Sequence, residues 1–318
     1  MGQGVDERSR VRTVQIDAGD EGQRIDNYLV RVLKGVPRSR IYRILRKGEV
    51  RVNRGRVAAS YRLRRGDSVR LPPVRVAERP APGRPGDTVL RALSRAVVYE
   101  DARLLVLDKP AGLAVHGGSG VAFGVIEGLR ALRPEEPGLE LVHRLDRDTS
   151  GCLVIARRRS ALRTLHQLFR EGRVDKRYLA LLAGRWERDR AEVDLALRKN
   201  TLRSGERVVR PDAQGKPALT RFRVLRRLAR ATLVEAKLET GRTHQIRVHA
   251  AALGTPILGD DKYGEIRANR AAREAGLKRL FLHAASLRLR WPGDEQDLAV
   301  EAPLSNELQA FLEEIDRP

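Results

Sequence analysis

Three prolines and two glycines fall within ERPAPGRPGD, residues 78–87. Proline removes a backbone donor and glycine costs chain entropy, so neither a helix nor a central strand runs through such a stretch. The segment reads as part of a linker over 76–95, and it forces the chain to build two separate cores. At 318 residues the chain is long enough for a small domain and a larger one.

The front part reads as a polar, flexible tail over 1–12 and a compact unit over 13–75. QRIDNYLVRVLKG places Ile25, Tyr28, Leu29, Val32 and Leu33 on one helical face that ends at Gly35. SRIYRILRKG follows, with Ser39 as its cap, Ile41, Ile44 and Leu45 as its stripe, and Gly48 as its stop. EVRVNRGRVAASYRLRRGDSVRL then alternates as short strands, with turns at Asn53–Gly55 and Gly66–Asp67. Arg38, Arg40, Arg43, Arg46 and Lys47 cluster on the second helix, with no acid until Glu49. That pattern predicts a reader of backbone phosphates.

Charge supports the same partner class. Lys and Arg outnumber Asp and Glu by 63 to 41, a net charge of +22, and such a field collects polyanions. Cys152 is the single cysteine, which excludes an internal disulfide and a thiolate zinc site. No apolar run reaches the length of a membrane span, and MGQGVDERSRVRTV lacks the apolar core of a signal peptide. A cytoplasmic protein without membrane contact is expected.

From residue 96 onward strand-like runs and helices mix without a regular βαβ rhythm. This predicts an α+β domain over 96–318 with a mixed, largely antiparallel sheet. SALRTLHQLFREG reads as a helix with Leu162, Leu165, His166 and Phe169 inward, and VEAKLETG as a strand burying Val234, Ala236 and Leu238. SNELQAFLEEI closes the chain with Leu308, Phe311, Leu312 and Ile315 on one face.

Several common sites fail. GGSGVAFG has Phe123 where a dinucleotide fingerprint needs its third glycine, and no phosphate-binding loop of the Gly-Lys-Ser/Thr type occurs. Ser150 lacks a nucleophile elbow. His244 and His249 are five apart, where one helical face needs four, so no metal is expected. Nothing calls for a cofactor.

LVHRLDRDTSGCLVIARRRS, residues 141–160, is the unusual stretch: acids and arginines where a buried strand begins. Were 142–148 extended, Arg144, Asp146 and Asp148 would share a face, with His143 and Arg147 opposite. Two carboxylates about 6–7 Å apart by strand rise would suit a glycosidase pair. DTSG instead favours a turn, leaving Asp146 to act alone and Asp148 to serve structure. Elsewhere, Arg242 and Arg247 flank the first turn of a helix in TGRTHQIRVHAAALG, and Tyr178 opens an apolar strand in KRYLALLAG.

HRLDRDTSG, KRYLA and TGRTHQIRVH, in this order, together with LDKPAGLAVHGG, resemble the large bacterial-type family of uridine-to-pseudouridine synthases. The likeness covers residues 95–318. Residues 23–71 resemble the small RNA-binding module called the S-four domain, which sits at the front of many RNA-handling enzymes. LKGVPRSRIYRILRKGEVRVN, VHGGSG and FGVIEGLRALRP look most like members that act on large-subunit (23S) ribosomal RNA.

The resemblance implies an isomerase that cuts the bond between ribose and uracil nitrogen 1, turns the base, and rejoins it through carbon 5. It implies Asp146 as the essential carboxylate, attacking carbon 1 of the ribose, taking the proton at carbon 2, or stabilising positive charge there. Arg247 would keep Asp146 charged, and Tyr178 would stack on the uracil and could handle the proton lost from carbon 5. Arg144 would fill the gap left by the flipped nucleotide, lowering a cost of a few kcal/mol. His143 and Arg242, beside them in the motifs, are assigned to substrate binding with Arg144. A monomer is expected. The alternatives are a synthase acting on another RNA, a non-catalytic assembly factor that binds ribosomal RNA, and a hydrolase needing both Asp146 and Asp148.

Overall fold

The computed structural model describes residues 10–33, 35–74, 85–118, 123–201 and 207–316. The chain divides into two compact units, the first ending at Gly83 and the second beginning at Arg84. Residues 1–9 of the expected tail, and most of the Pro/Gly stretch, lie outside the described residues.

In the first unit, β1 (Arg12–Gln15), α1 (Ile25–Val32), α2 (Arg38–Arg46), β2 (Arg51–Val52) and β3 (Ser68–Leu71) follow in order. The strands pair antiparallel as β1-β3-β2. Ile25, Tyr28 and Leu29 of α1 and Ile41, Ile44 and Leu45 of α2 form its core with Val52, Val69 and Leu71. Two expectations are corrected here. Arg12, read as tail, is the first residue of β1, because Val14 packs against the core. Ser39 does not cap α2: the cap position is Pro37, whose extended ψ of 142° lets the helix begin one residue before that serine. Gly48 takes φ +70° just after the helix, as a stop residue must.

The second unit runs α3 (Asp87–Arg95), β4 (Val97–Glu100), β5 (Leu104–Lys109), α4 (Val125–Leu132), β6 (Glu140–Leu141), β7 (Ser150–Ala156) and α5 (Arg159–Arg170). It continues with β8 (Val174–Ala183), β9 (Arg190–Asp194), β10 (Leu197–Thr201), β11 (Arg207–Pro211), β12 (Leu219–Arg227) and β13 (Ala231–Leu238). It ends with α6 (Gln245–Ala252), α7 (Ile266–Glu274), β14 (Leu282–Arg290), β15 (Asp297–Glu301) and α8 (Asn306–Ile315). One sheet runs β4-β5-β7-β14-β8-β13-β12-β9, with β15 on β14 and β6 on β7. Its pairs are antiparallel except β7 with β14, so the fold is α+β with a mixed, largely antiparallel sheet, as expected.

Residues 87–95, read as the end of the linker, form α3 instead. Pro85 and Gly86 precede this helix rather than interrupt it, and Leu90 and Leu93 give it a buried face. In α5 the buried residues are Ala161, Leu165 and Leu168, with Leu162 and Phe169 half-buried. His166 is exposed, contrary to expectation, because it stands one position off the 161/165/168 stripe.

Every residue of β7 is buried. Where it starts, Gly151 lies beside Ala284 of β14 with φ +105°, and a Cβ there would come 2.2 Å from the Ala284 carbonyl oxygen. Only glycine permits that close approach, which anchors the loop entering β7.

Candidate active site

Asp146 stands on that loop. Residues 142–149 are not an extended strand; the Thr149 N–H donates to the Asp146 carbonyl at 3.2 Å, closing a turn. Asp146 and Asp148 therefore part company. Asp148 pairs with Arg147 at 3.0 Å, while the Asp146 side chain, 17% exposed, faces inward.

Two groups, buried Lys109 and half-buried His143, pin the loop on either side of Asp146. The Lys109 ammonium, fully buried, donates to the carbonyls of Pro110 (2.7 Å), Leu113 (2.8 Å) and Arg147 (3.0 Å). Burial pushes this lysine down to about 7, yet three carbonyls match the three hydrogens of the charged form. On the other side, His143 Nε2 accepts the Val154 N–H at 3.0 Å, and its ring stacks on Phe169 at 4.8 Å. The ring nitrogen of His143 is thus spent on the β7 backbone.

Burial, and then the nearby Lys176 charge, push His143 down to about 4. Its folded pKa lies below the unfolded value near 6.5, so the unfolded chain takes up the proton first. The stabilisation is complete above about pH 6.5 and is lost as pH falls toward 4, a swing of about 3 kcal/mol. Urea unfolding of His143→Gln against the native chain at pH 7.5 and 5 is expected to show a smaller acid loss in the variant. An equal loss in both would remove His143 from this role.

The third element is the start of α6. Gln245 Oε1 accepts from Thr240 Oγ1 (2.7 Å) and the Arg242 N–H (2.9 Å), and its Nε2 donates to Leu219 O (3.0 Å) and Thr220 Oγ1 (2.9 Å). These four bonds lock the turn before the helix onto β12. The helix cap, His244, is held at φ +55°, a left-handed conformation that costs a non-glycine residue energy and is frequent at functional sites.

This turn aims Arg247 at two carboxylates. Its Nε and Nη2 each donate to Asp260 at 2.7 Å, while Nη1 reaches Asp146 Oδ2 at the longer distance of 3.5 Å. Asp260 is the principal partner, and Asp146 takes the remaining edge of the fork. Tyr263 lies 5.0 Å below the Arg247 guanidinium and accepts the Val209 N–H at 2.9 Å. Its oxygen also lies 2.7 Å from His244 Nδ1. His244 Nε2 stands 3.8 Å from Asp146 Oδ2.

Asp146, Arg144, His244 and Arg247 line both of two adjoining cavities, of about 1090 and 840 Å³. Tyr178, in mid-β8 and 8% exposed, lines the smaller one. Burial and then the Asp146 charge raise its phenol well above the ordinary tyrosine range, so it stays protonated. The exposed Arg144 makes no ion pair among the described residues. Arg242 is also exposed, and its Nε donates to Pro217 O at 3.0 Å on the rim of the smaller cavity.

Asp146, Tyr178, Arg247 and Arg144 are thus brought together. His143 lines the smaller cavity while its Nε2 supports β7, and Arg242 stands at the edge. Asp260, Tyr263, His244 and Lys109 were not singled out from the sequence as site residues. Their signals are GDDKYG, which reads as a turn, the lysine of LDKP, and for His244 its place in TGRTHQIRVH, where it is weighed only as a metal ligand. In the first unit, Arg38, Arg40, Arg43, Arg46 and Lys47 are all exposed on α2, with no carboxylate partner among the described residues.

Residues 103–252 match the family model described as RNA pseudouridylate synthase, and residues 23–69 match the S4 domain. The ribosomal large subunit pseudouridine synthase C of Salmonella typhimurium is 55% identical, over 96% of this chain and 97% of that protein. The protein of the same name from Escherichia coli K12 is 54% identical, over 97% and 98%. Among solved structures, human RNA pseudouridylate synthase domain containing 4 aligns with a TM-score of 0.60 at 28% identity, over 72% of this chain and 96% of that one. Human RNA pseudouridylate synthase domain containing 1 aligns at 0.55 and 33%, over 66% and 83%.

Proposed function

This chain belongs to the RNA pseudouridylate synthase family, and from that premise we propose that it isomerises uridines of large-subunit ribosomal RNA to pseudouridine. The observation that carries the proposal is one cavity edge shared by Asp146, Arg247 and Arg144, with Tyr178 on its wall.

The reaction breaks the bond from ribose carbon 1 to uracil nitrogen 1 and forms one to carbon 5. Carbon 5 loses a proton and nitrogen 1 gains one, so the product is an isomer and no cofactor or metal is called for. Asp146 is the group that acts on the ribose. Arg247 Nη1 at 3.5 Å and the His244 ring at 3.8 Å hold one carboxylate oxygen, which leaves the other for the sugar. Arg247 is free to do this because Asp260 fixes its other two donors.

Tyr178 offers a flat, protonated ring that keeps a detached uracil from escaping while it turns. Exposed Arg144 suits the space that the flipped nucleotide vacates. With Asp148 turned to Arg147, a two-acid hydrolysis has no support. No helix among the described residues is long and apolar enough to cross a membrane. A chain of charge +22 repels its own copies, which favours a monomer, and a ribosomal RNA substrate favours the cytoplasm.

The test is to incubate the purified chain, without added metal or nucleotide, with unmodified large-subunit ribosomal RNA transcript carrying uridine tritiated at carbon 5. Tritium release and new pseudouridines are expected. Absence of both, from a folded protein and from RNA assembled with ribosomal proteins alike, would overturn the proposal.

The first unit supplies grip. Reversing two charges on α2, Arg40→Glu with Arg43→Glu, is expected to weaken RNA binding at least about tenfold near 0.1 M salt. The slope of log affinity against log salt should flatten as well, while turnover at saturating RNA is kept. Unchanged affinity and slope would refute that role.

A further inference from the structure

β8 presents Lys176 on the same face as Tyr178, two residues earlier, and both line the smaller cavity. Lys176 is 8% exposed. Its ammonium lies 5.7 Å from the centre of the Phe169 ring. Among the described residues it makes neither an ion pair nor a side-chain hydrogen bond, and since its Nζ is not a buried atom left without a partner, its tip opens to the cavity.

The carboxylates in its neighbourhood are already engaged. Asp175 pairs with Arg177 at 3.1 Å and Lys237 at 3.7 Å, and Glu239 pairs with Arg221 at 3.2 Å and Lys237 at 3.4 Å. Burial of the side chain lowers the pKa of this ammonium, while the Glu239 and Asp175 charges raise it only in part. Arg144, Arg170 and Arg242 on the same walls add to the positive field. An anion arriving in the cavity would find in Lys176 a cation not already paired. The Phe169 ring, with His143 stacked on it, stands beside the ammonium and gives the cation a fixed neighbour.

We infer that Lys176 is a phosphate subsite of this cavity: its ammonium contacts one of the two backbone phosphates flanking the flipped uridine, beside the ring of Tyr178. This rests on the reading of the chain as an RNA uridine isomerase. A nucleotide swung out of its stack brings ionised phosphates to the cavity mouth, and a lysine two residues from the stacking ring stands where one can be met.

Lys176→Met keeps the length of the stem and removes the charge. The full chain and this variant, each also carrying Asp146→Asn so that bound RNA is not turned over, are titrated with a synthetic fragment of large-subunit ribosomal RNA. The fragment is one that the native chain converts. Three forms are compared: unmodified, with a methylphosphonate 5′ of the target uridine, and with one 3′ of it. One neutralised linkage is expected to weaken binding about tenfold or more when Lys176 is present, and to have no effect in Lys176→Met. The variant should bind the unmodified fragment as weakly as the protein with Lys176 binds that neutral linkage.

Thermal stability of Lys176→Met should be equal to or above that of the native chain, since an unpaired buried charge is removed. If both linkages affect the two proteins equally, or if Lys176→Met melts lower and keeps its affinity, the subsite is wrong and Lys176 serves the fold. If the native chain converts no fragment of this RNA, the proposed function itself has failed.

Discussion

Asp146→Asn is expected to abolish pseudouridine formation, by about four orders of magnitude or more, while RNA affinity stays within a few-fold of the native chain. The amide is nearly the same size and can still face Arg247 and His244, so the fold has no reason to change. What disappears is the negative charge and the nucleophilic or basic oxygen at the ribose. The same substitution two residues on, Asp148→Asn, removes a half-exposed partner of Arg147 and is expected to change stability by no more than about 0.5 kcal/mol and turnover little. Tritium release from carbon 5 with both variants checks the pair. Turnover of Asp146→Asn within a hundredfold of native, or an Asp148→Asn variant equally dead, would contradict the division of labour between the two acids.

Asp260→Asn should be the most damaging change to the fold near the site. The Asp260 side chain is fully buried, and its two oxygens hold Arg247 Nε and Nη2 at 2.7 Å each. One oxygen also accepts the N–H groups of Lys262 (2.9 Å) and Tyr263 (3.0 Å). Burial by itself would push this carboxyl up; the Arg247 bonds and charge, with those two N–H groups, hold it below the usual range. An amide leaves the guanidinium with a poor acceptor and an uncompensated charge, at a cost of about 3–5 kcal/mol.

With folded pKa below unfolded, the Asp260 contribution is complete above about pH 4 and disappears as the pH falls through the folded pKa. Denaturant unfolding at pH 7 should therefore show the full loss in Asp260→Asn, shrinking as the native chain is itself acidified. Activity should fall as well, because Arg247 is no longer fixed for Asp146. A variant as stable as native at pH 7 would show that Arg247 is held by something else.

The α+β class was readable because alternation and turn residues are local. VEAKLETG buries Val234, Ala236 and Leu238 in β13, as a period of two requires. The helical stripe of α2 follows from the same kind of signal. The errors arose where local composition was opposed by packing. Pro85 and Gly86 made the following residues look like linker, although Leu90 and Leu93 cover the core as α3. His143 lines the smaller cavity and also engages Val154 and Phe169, a double placement that its motif alone does not carry.

Asp146, Tyr178 and Arg247 lie in strings distinctive enough to be picked out one by one. Asp260 and Tyr263 do not, since their meaning comes from a turn that folds back under α6 and meets Arg247 and His244. Lys109 is similar: its role depends on the Arg147 carbonyl 38 residues away, a contact set by sheet register that no local pattern carries. Motifs mark the residues that face a substrate, and three-dimensional closure marks those that hold them.

The most direct measurement is a map of pseudouridines in large-subunit ribosomal RNA from cells with this chain intact, deleted, or carrying Asp146→Asn. One defined set of positions should be modified in the first case and revert to uridine, identically, in the other two. Persistence of those positions in the Asp146→Asn cells, or a map untouched by the deletion, would contradict the account at its centre.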